Sequence, residues 1–186
     1  MASEAKILLI DDRAENLLAL EAILSSLEQE LVCVRSGEAA LEAVTSDDFA
    51  VILLDVVMPG MDGFETAAQI KEHARTPGAP IIFLTAAGAD PDLAFRSYAA
   101  GGVDYISKPF DPWVLRAKVS VYVDLCLKDQ QLRALSGLVS AVEEAAAGLA
   151  GLPAALASAE LKDGLVRLED TVASLRATLG AAPGKV

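Results

Sequence analysis

Apolar and polar positions alternate between two periods along the first two thirds of the chain. Lys6-Ile7-Leu8-Leu9-Ile10, Val51-Ile52-Leu53-Leu54 and Ile81-Ile82-Phe83-Leu84 are short apolar runs with no polar alternation, the pattern of parallel strands covered on both faces. Leu31-Val32-Cys33-Val34 and a stretch at about 104–107 read as two further strands. Between them the period lengthens. Leu17, Leu18, Leu20, Ile23, Leu24 and Leu27 form a helical stripe over 14–27, and Ser36 is placed to cap a helix carrying Ala40, Leu41 and Val44. A helix over roughly 64–75 is stopped by Pro77 and Pro80; another opens at Pro91 and closes at Gly101-Gly102; the last starts near Pro112. Five strand–helix units of this length predict an α/β fold, a doubly wound open parallel sheet with helices on both faces.

After residue 127 the spacing changes. Leu132, Leu135, Val139, Val142, Ala146 and Leu149 recur three and four apart, and after a break at 148–153 Leu161, Leu165, Leu168, Val172, Leu175 and Leu179 do the same. Each half predicts a helix with a heptad-type seam, and the pair predicts an α-helical hairpin. The domain reading is therefore 1–127, then a helical module over 128–180, then a disordered tail over 181–186.

Four of the strands end on reactive polar residues: Asp11-Asp12, Asp55, Thr85 and Lys108. In an open α/β sheet, ligands bind beyond the strand C-termini, so three carboxylates, a hydroxyl and an ammonium converge on one pocket. Crowded carboxylates repel, and a divalent cation relieves them; Mg²⁺ takes a few carboxylates together with water and substrate oxygens. One carboxylate can attack phosphorus to give an aspartyl phosphate, while the ammonium of Lys108 and the hydroxyl of Thr85 hold phosphoryl oxygens.

Composition narrows the partners. The net charge of −12 argues against nucleic acid as a direct ligand. It is concentrated in residues 1–125, which carry nine basic and twenty acidic side chains against six and seven in 126–186. Cys33 and Cys126 make no disulfide framework, and Cys33, inside an apolar run, is expected in the core. His73, the one histidine, is expected on the surface; Trp113 is expected to pack beneath the C-terminal segment, with a contact surface as the alternative reading. With neither a signal-peptide pattern nor an apolar stretch of membrane-spanning length, the expectation is a cytoplasmic protein with no membrane partner.

Taken together, Asp11-Asp12, Asp55 followed by Met58-Pro59-Gly60-Met61-Asp62-Gly63, Thr85-Ala86, and Tyr105 three residues before Lys108-Pro109-Phe110 resemble the receiver domain of bacterial two-component response regulators over about residues 5–127. The resemblance implies a flavodoxin-like sheet of strand order 2-1-3-4-5, of the kind seen in chemotaxis regulators. It implies Asp55 as the phosphorylated residue. Mg²⁺ would be held by Asp12, Asp55 and the backbone carbonyl of Val57, with Asp11 acting mainly through water. Lys108 would bridge to the phosphoryl group, Thr85 would move toward it, and Tyr105 would swing inward as the switch. Val57 and Ala87 occupy positions that in this family flank the hydrolytic water; neither side chain orients water, which implies slow autodephosphorylation.

The expected donor is a histidine kinase or phosphotransfer protein, and the only expected enzymatic activities are Mg²⁺-dependent self-phosphorylation and autodephosphorylation. Output is expected through the C-terminal helices, as a homodimer or a docking face. They carry no helix-turn-helix pattern and no histidine, and about 60 residues leave no room for a cyclase, phosphodiesterase or kinase catalytic domain. Two alternatives stand beside this reading. The chain is a receiver piece or regulator of a kinase or phosphatase enzyme, with Asp129-Gln130-Gln131 as a faint pointer to phosphatase chemistry, or it is a phosphorelay intermediate.

Overall fold

In the computed structural model, the residues described are 5–73, 78–86, 99–150, 164, 166–168 and 170–174. The helix expected after Pro91, the side chain of His73, Ala87, residues 151–153 of the break expected at 148–153, most of the second expected seam and the tail over 181–186 lie outside them. Contacts divide the chain into two compact units, Met1–Leu127 and Lys128–Val186.

The first unit runs β1 (Lys6–Ile10), α1 (Ala14–Leu24), a 3-10 turn (Ser25–Leu27), β2 (Glu30–Val34), α2 (Gly37–Ser46), β3 (Val51–Asp55), α3 (Gly63–His73), β4 (Ile81–Ala86), β5 (Asp104–Lys108) and α4 (Pro112–Ala150), whose residues beyond Leu127 belong to the second unit. The five strands form one parallel sheet in the order β2-β1-β3-β4-β5. The doubly wound sheet and its expected strand order are both borne out.

Strand alternation divides the core in two. Ile7, Leu9, Val51, Leu53, Ile82, Leu84 and Ile106 pack with Leu17, Leu20 and Leu24 of α1 and Leu115, Val119 and Val123 of α4. Leu8, Ile10, Ile52, Leu54, Ile81 and Phe83 pack with Ala40 and Val44 of α2 and Ala67 and Ile70 of α3. On that second face the rings of Phe64 and Phe83 stand 5.1 Å apart at 42°. Each fully buried Leu or Ile contributes about 1.5–3 kcal/mol, so the two layers fix the strand ends rigidly.

Local chemistry sets the helix starts. The Ser36 side chain accepts from Ala39 N–H at 3.2 Å, the cap expected for α2. Asp62 and Glu65 cap α3 reciprocally: Glu65 N–H donates to Asp62 Oδ1 at 2.8 Å, and Asp62 N–H to Glu65 Oε2 at 3.3 Å.

Two expectations about single residues fail. Cys33 is exposed, not in the core. It lies on β2, an edge strand with the burial pattern eiiei, where helix cover is incomplete and Glu21 stands beside the thiol. Trp113 is 71% exposed, against the packing reading and in line with the alternative of a contact surface; its position in the first turn of α4 leaves it open while Leu115 faces the sheet.

In the second unit, helix continues through Ala150 and recurs at 166–168 and 170–174. Val139, Ala146 and Val172 are buried. Leu132, Leu135 and Val142, expected in the same seam, are exposed, as is Leu138. The covered line is therefore narrower than the apolar stripe in the sequence. Among the described residues, no helix is long and apolar enough to cross a membrane.

A candidate phosphoacceptor and metal site

The C-terminal ends of β1, β3 and β5 bring Asp11, Asp12, Asp55 and Lys108 together. β1 and β3 pair in register through Ile10↔Leu54, so Asp11 and Asp55 follow on adjacent strands. One carboxylate oxygen from each of Asp11, Asp12 and Asp55 lies within 4.8 Å of the others. Asp11 is fully buried and Asp55 nearly so.

Asp11 is saturated. Its Oδ1 accepts from Arg13 N–H at 3.0 Å and Asn16 Nδ2 at 2.8 Å, and its Oδ2 from Asn16 Nδ2 at 2.9 Å and Lys108 Nζ at 2.8 Å. Lys108 Nζ also reaches Asp55 Oδ2 at 3.2 Å, so one ammonium bridges two carboxylates. Asp12 is only half-buried, and its carboxylate has no hydrogen-bond partner among the described residues. Burial pushes the Asp55 carboxyl above its ordinary value; Asp11 adds to that, while Lys108 and the backbone N–H of Val57 oppose it. A raised carboxyl beside two others, with an unpartnered Asp12, is a donor set that fits a hard divalent cation.

Asp55 ends a strand that is buried at every position, and its exit is set by glycine. Gly63 N–H donates to Val56 O at 3.0 Å, closing the 56–63 loop on itself. A Cβ at Gly63 would lie 2.3 Å from the Asp55 carbonyl oxygen and 2.8 Å from Val56 Cα, so no side chain fits. Gly60, with φ +79°, makes the turn within this loop.

Thr85 is 2% exposed at the end of β4, opposite Ser107 in register. Tyr105 of β5 is 39% exposed, and Val57 projects into solvent at 71%. The Lys108–Pro109 bond that follows the bridging lysine is cis. A cavity of about 250 Å³ opens beside the pocket, lined by Asp11, Asn16, Ala19, Leu20, Lys108, Pro109 and Phe110.

The structure thus brings together Asp11, Asp12, Asp55 and Lys108 as expected, and sets Thr85 on the neighbouring strand end. Sequence reasoning missed Asn16, whose amide holds both Asp11 oxygens. Its place in the first turn after an acidic pair was the available signal. It also missed Gly63 as the residue that lets the loop close under Asp55.

Comparison with known proteins agrees with this geometry. The family model described as "Response regulator receiver domain" matches residues 7–120. The chain is 34% identical over 151 residues to "Response regulator PleD" of Caulobacter vibrioides, covering 80% of this chain and 33% of that one. It is 33% identical over 121 residues to a "Probable cyclic di-GMP phosphodiesterase" of Vibrio cholerae, covering 65% and 27%. The chain thus spans about a third or less of the length of these two relatives. Among solved structures, the receiver domain of the sensor histidine kinase PA1611 from Pseudomonas aeruginosa, with a magnesium ion in its active-site cleft, superposes with a TM-score of 0.59 at 29% identity, covering 66% of this chain and 99% of that one. On these matches and on its fold, the chain belongs to the response regulator receiver family.

Proposed function

We propose that the protein is a response regulator that accepts a phosphoryl group on Asp55 and thereby switches a protein-interaction surface. The observation that carries this is Lys108 Nζ standing 3.2 Å from Asp55 and 2.8 Å from Asp11 at the mouth of a three-carboxylate cluster. A carboxylate that burial makes costly to ionise, with a cation on one side, suits a nucleophile toward phosphorus.

Asp12, Asp55 and the Val57 carbonyl would hold Mg²⁺ directly. Asp11, already saturated by its neighbours, would serve through water. The ion would supply charge neutralisation on the phosphoryl oxygens. In the transfer, an Asp55 carboxylate oxygen bonds to phosphorus as the phosphorus–nitrogen bond of a donor phosphohistidine breaks, and the leaving imidazole takes up a proton. Lys108 turns from its two carboxylates toward the new phosphoryl oxygens. Thr85 donates its hydroxyl to one of them. Tyr105, half exposed on the adjacent strand, follows Thr85 inward and remodels the surface around β5 and α4. Thr85 and Lys108 stand near the C-terminal ends of β4 and β5, and Tyr105 lies opposite Phe83, three residues before Lys108 on β5; these positions support the roles proposed for them.

The phosphodonor is a histidine kinase or phosphotransfer protein. Output runs through the helices of 128–186, as a change in homodimer geometry or a docking face. Exposed Leu132, Leu135, Leu138 and Val142 beside buried Val139 support this, since an apolar helix face of that kind meets another seam. The acidic charge and the absence of a basic patch in the sequence favour a protein partner over nucleic acid. The test is the mass in solution with and without beryllofluoride and Mg²⁺, a mimic of the phosphorylated state. A shift in assembly supports output through the helices; an identical mass, together with unchanged hydrogen exchange over 128–150, refutes it.

A further inference from the structure

The turn that carries Asp12 is held from outside by a residue of the neighbouring loop. Arg35 follows β2 and precedes the Ser36 cap of α2. Its Nε and Nη2 both donate to the main-chain carbonyl of Asp12, at 3.1 and 2.8 Å. One residue earlier, Asp11 N–H donates to Val34 O at 3.3 Å. The β1–α1 turn is thus pinned to the end of β2 at two successive points.

Arg35 makes no ion pair with a carboxylate among the described residues, so its fork is committed to a neutral oxygen. That commitment is informative because nothing else described grips Asp12. Its carboxylate lacks a hydrogen-bond partner, whereas Asp11 is held by Arg13, Asn16 and Lys108. Fixing the Asp12 carbonyl fixes the peptide plane that follows its Cα, and so narrows the directions in which Cβ can leave the chain. A planar guanidinium suits this task because two parallel donors remove a rotation that a single ammonium leaves free.

We infer that Arg35 is a positioning residue for the metal pocket, aiming the Asp12 carboxylate through its main chain. This rests on the Mg²⁺ reading above. The same residue is also a positive charge near the cluster, and the two roles predict opposite signs. As a charge alone, Arg35 repels a divalent cation, and removing it tightens Mg²⁺ binding. As a clamp, removing it loosens the aim of Asp12 and weakens binding.

The experiment measures Mg²⁺ affinity of the full chain by calorimetry for wild type, Arg35→Ala, Arg35→Lys and Arg35→Gln. It adds the Mg²⁺ dependence of phosphorylation by acetyl phosphate and the melting temperature without metal. Outer-shell partners of metal ligands typically change affinity by about 10- to 100-fold. For this exposed clamp we expect a weakening of about three- to tenfold in Arg35→Ala. Arg35→Gln, which keeps a neutral donor, should recover part of it. The half-saturating Mg²⁺ concentration should rise by the same factor, with the limiting rate and the metal-free melting temperature close to wild type. An Arg35→Ala affinity equal to or tighter than wild type overturns the clamp, as does a fall in limiting rate with no change in half-saturation. A wild-type protein that binds no Mg²⁺ overturns the metal reading instead, and the clamp with it.

Discussion

Asp55→Asn should stabilise the metal-free protein. The substitution keeps shape and removes one charge from the cluster. Asp55 faces two carboxylates with oxygens no more than 4.8 Å away and one ammonium at 3.2 Å. At an effective dielectric of ~20, the two like pairs cost about 7 kcal/mol and the Lys108 pair returns about 5. The net is about 2 kcal/mol of repulsion relieved, before the cost of burying the charge is counted. For a chain of 186 residues that corresponds to a rise in Tm of roughly 4–8 °C. The pH dependence carries the sign. Burial holds the Asp55 carboxyl above its usual 3.8. A carboxyl raised in the folded state keeps its proton more tightly there than in the unfolded chain, so the wild type loses stability as pH climbs from the unfolded value through the raised one. The Asn variant escapes that loss. Its advantage is full at neutral pH and disappears in acid, where Asp55 is protonated in both states. Millimolar Mg²⁺ should narrow the gap by stabilising the wild type more. Calorimetric melts of both proteins across pH, with and without Mg²⁺, provide the assay. An Asn variant no more stable than wild type at neutral pH without metal would refute the reasoning.

Two further substitutions probe the loop after β3. Gly63→Ala drives a methyl into the Asp55 carbonyl at 2.3 Å, and should cost about 1–3 kcal/mol in chemical denaturation and slow phosphorylation by acetyl phosphate; an unchanged midpoint and rate would show that the loop accommodates a side chain. Val57→Asn places a water-orienting amide where Val57 now lies 71% exposed, and should speed loss of phosphate from the isolated protein. Equal phosphate lifetimes would mean that Val57 does not set the rate.

β1, β3 and β4 were legible because each is a short apolar run buried on both faces, and the polar ends of β1, β3 and β5 meet because the parallel strands of one sheet end on the same edge. Ser36 was legible as a cap because capping is local. The order of the strands was not carried by the periodicity; it came from the motifs around Asp55 and Lys108. What stayed hidden depends on distant cover. Cys33 sits in an apolar run, yet β2 is an edge strand, and burial there is decided by how far a helix extends over it. Trp113 is similar: its size suggested packing, but its place on the helix turns it outward. The Arg35 fork joins residues 23 apart in sequence, with no local pattern to announce it. Gly63 was visible only as a turn former; its closeness to the Asp55 carbonyl needed coordinates.

The central claim is that Asp55 is the phosphoacceptor. The most direct test incubates the full chain with acetyl phosphate and Mg²⁺, measures intact mass, and maps the label by peptide analysis. The account predicts one added phosphoryl group, dependent on Mg²⁺, labile to hydroxylamine as an acyl phosphate, located on Asp55 and lost in Asp55→Asn. A protein that gains no phosphoryl group under these conditions, or a label that persists in Asp55→Asn, would contradict it.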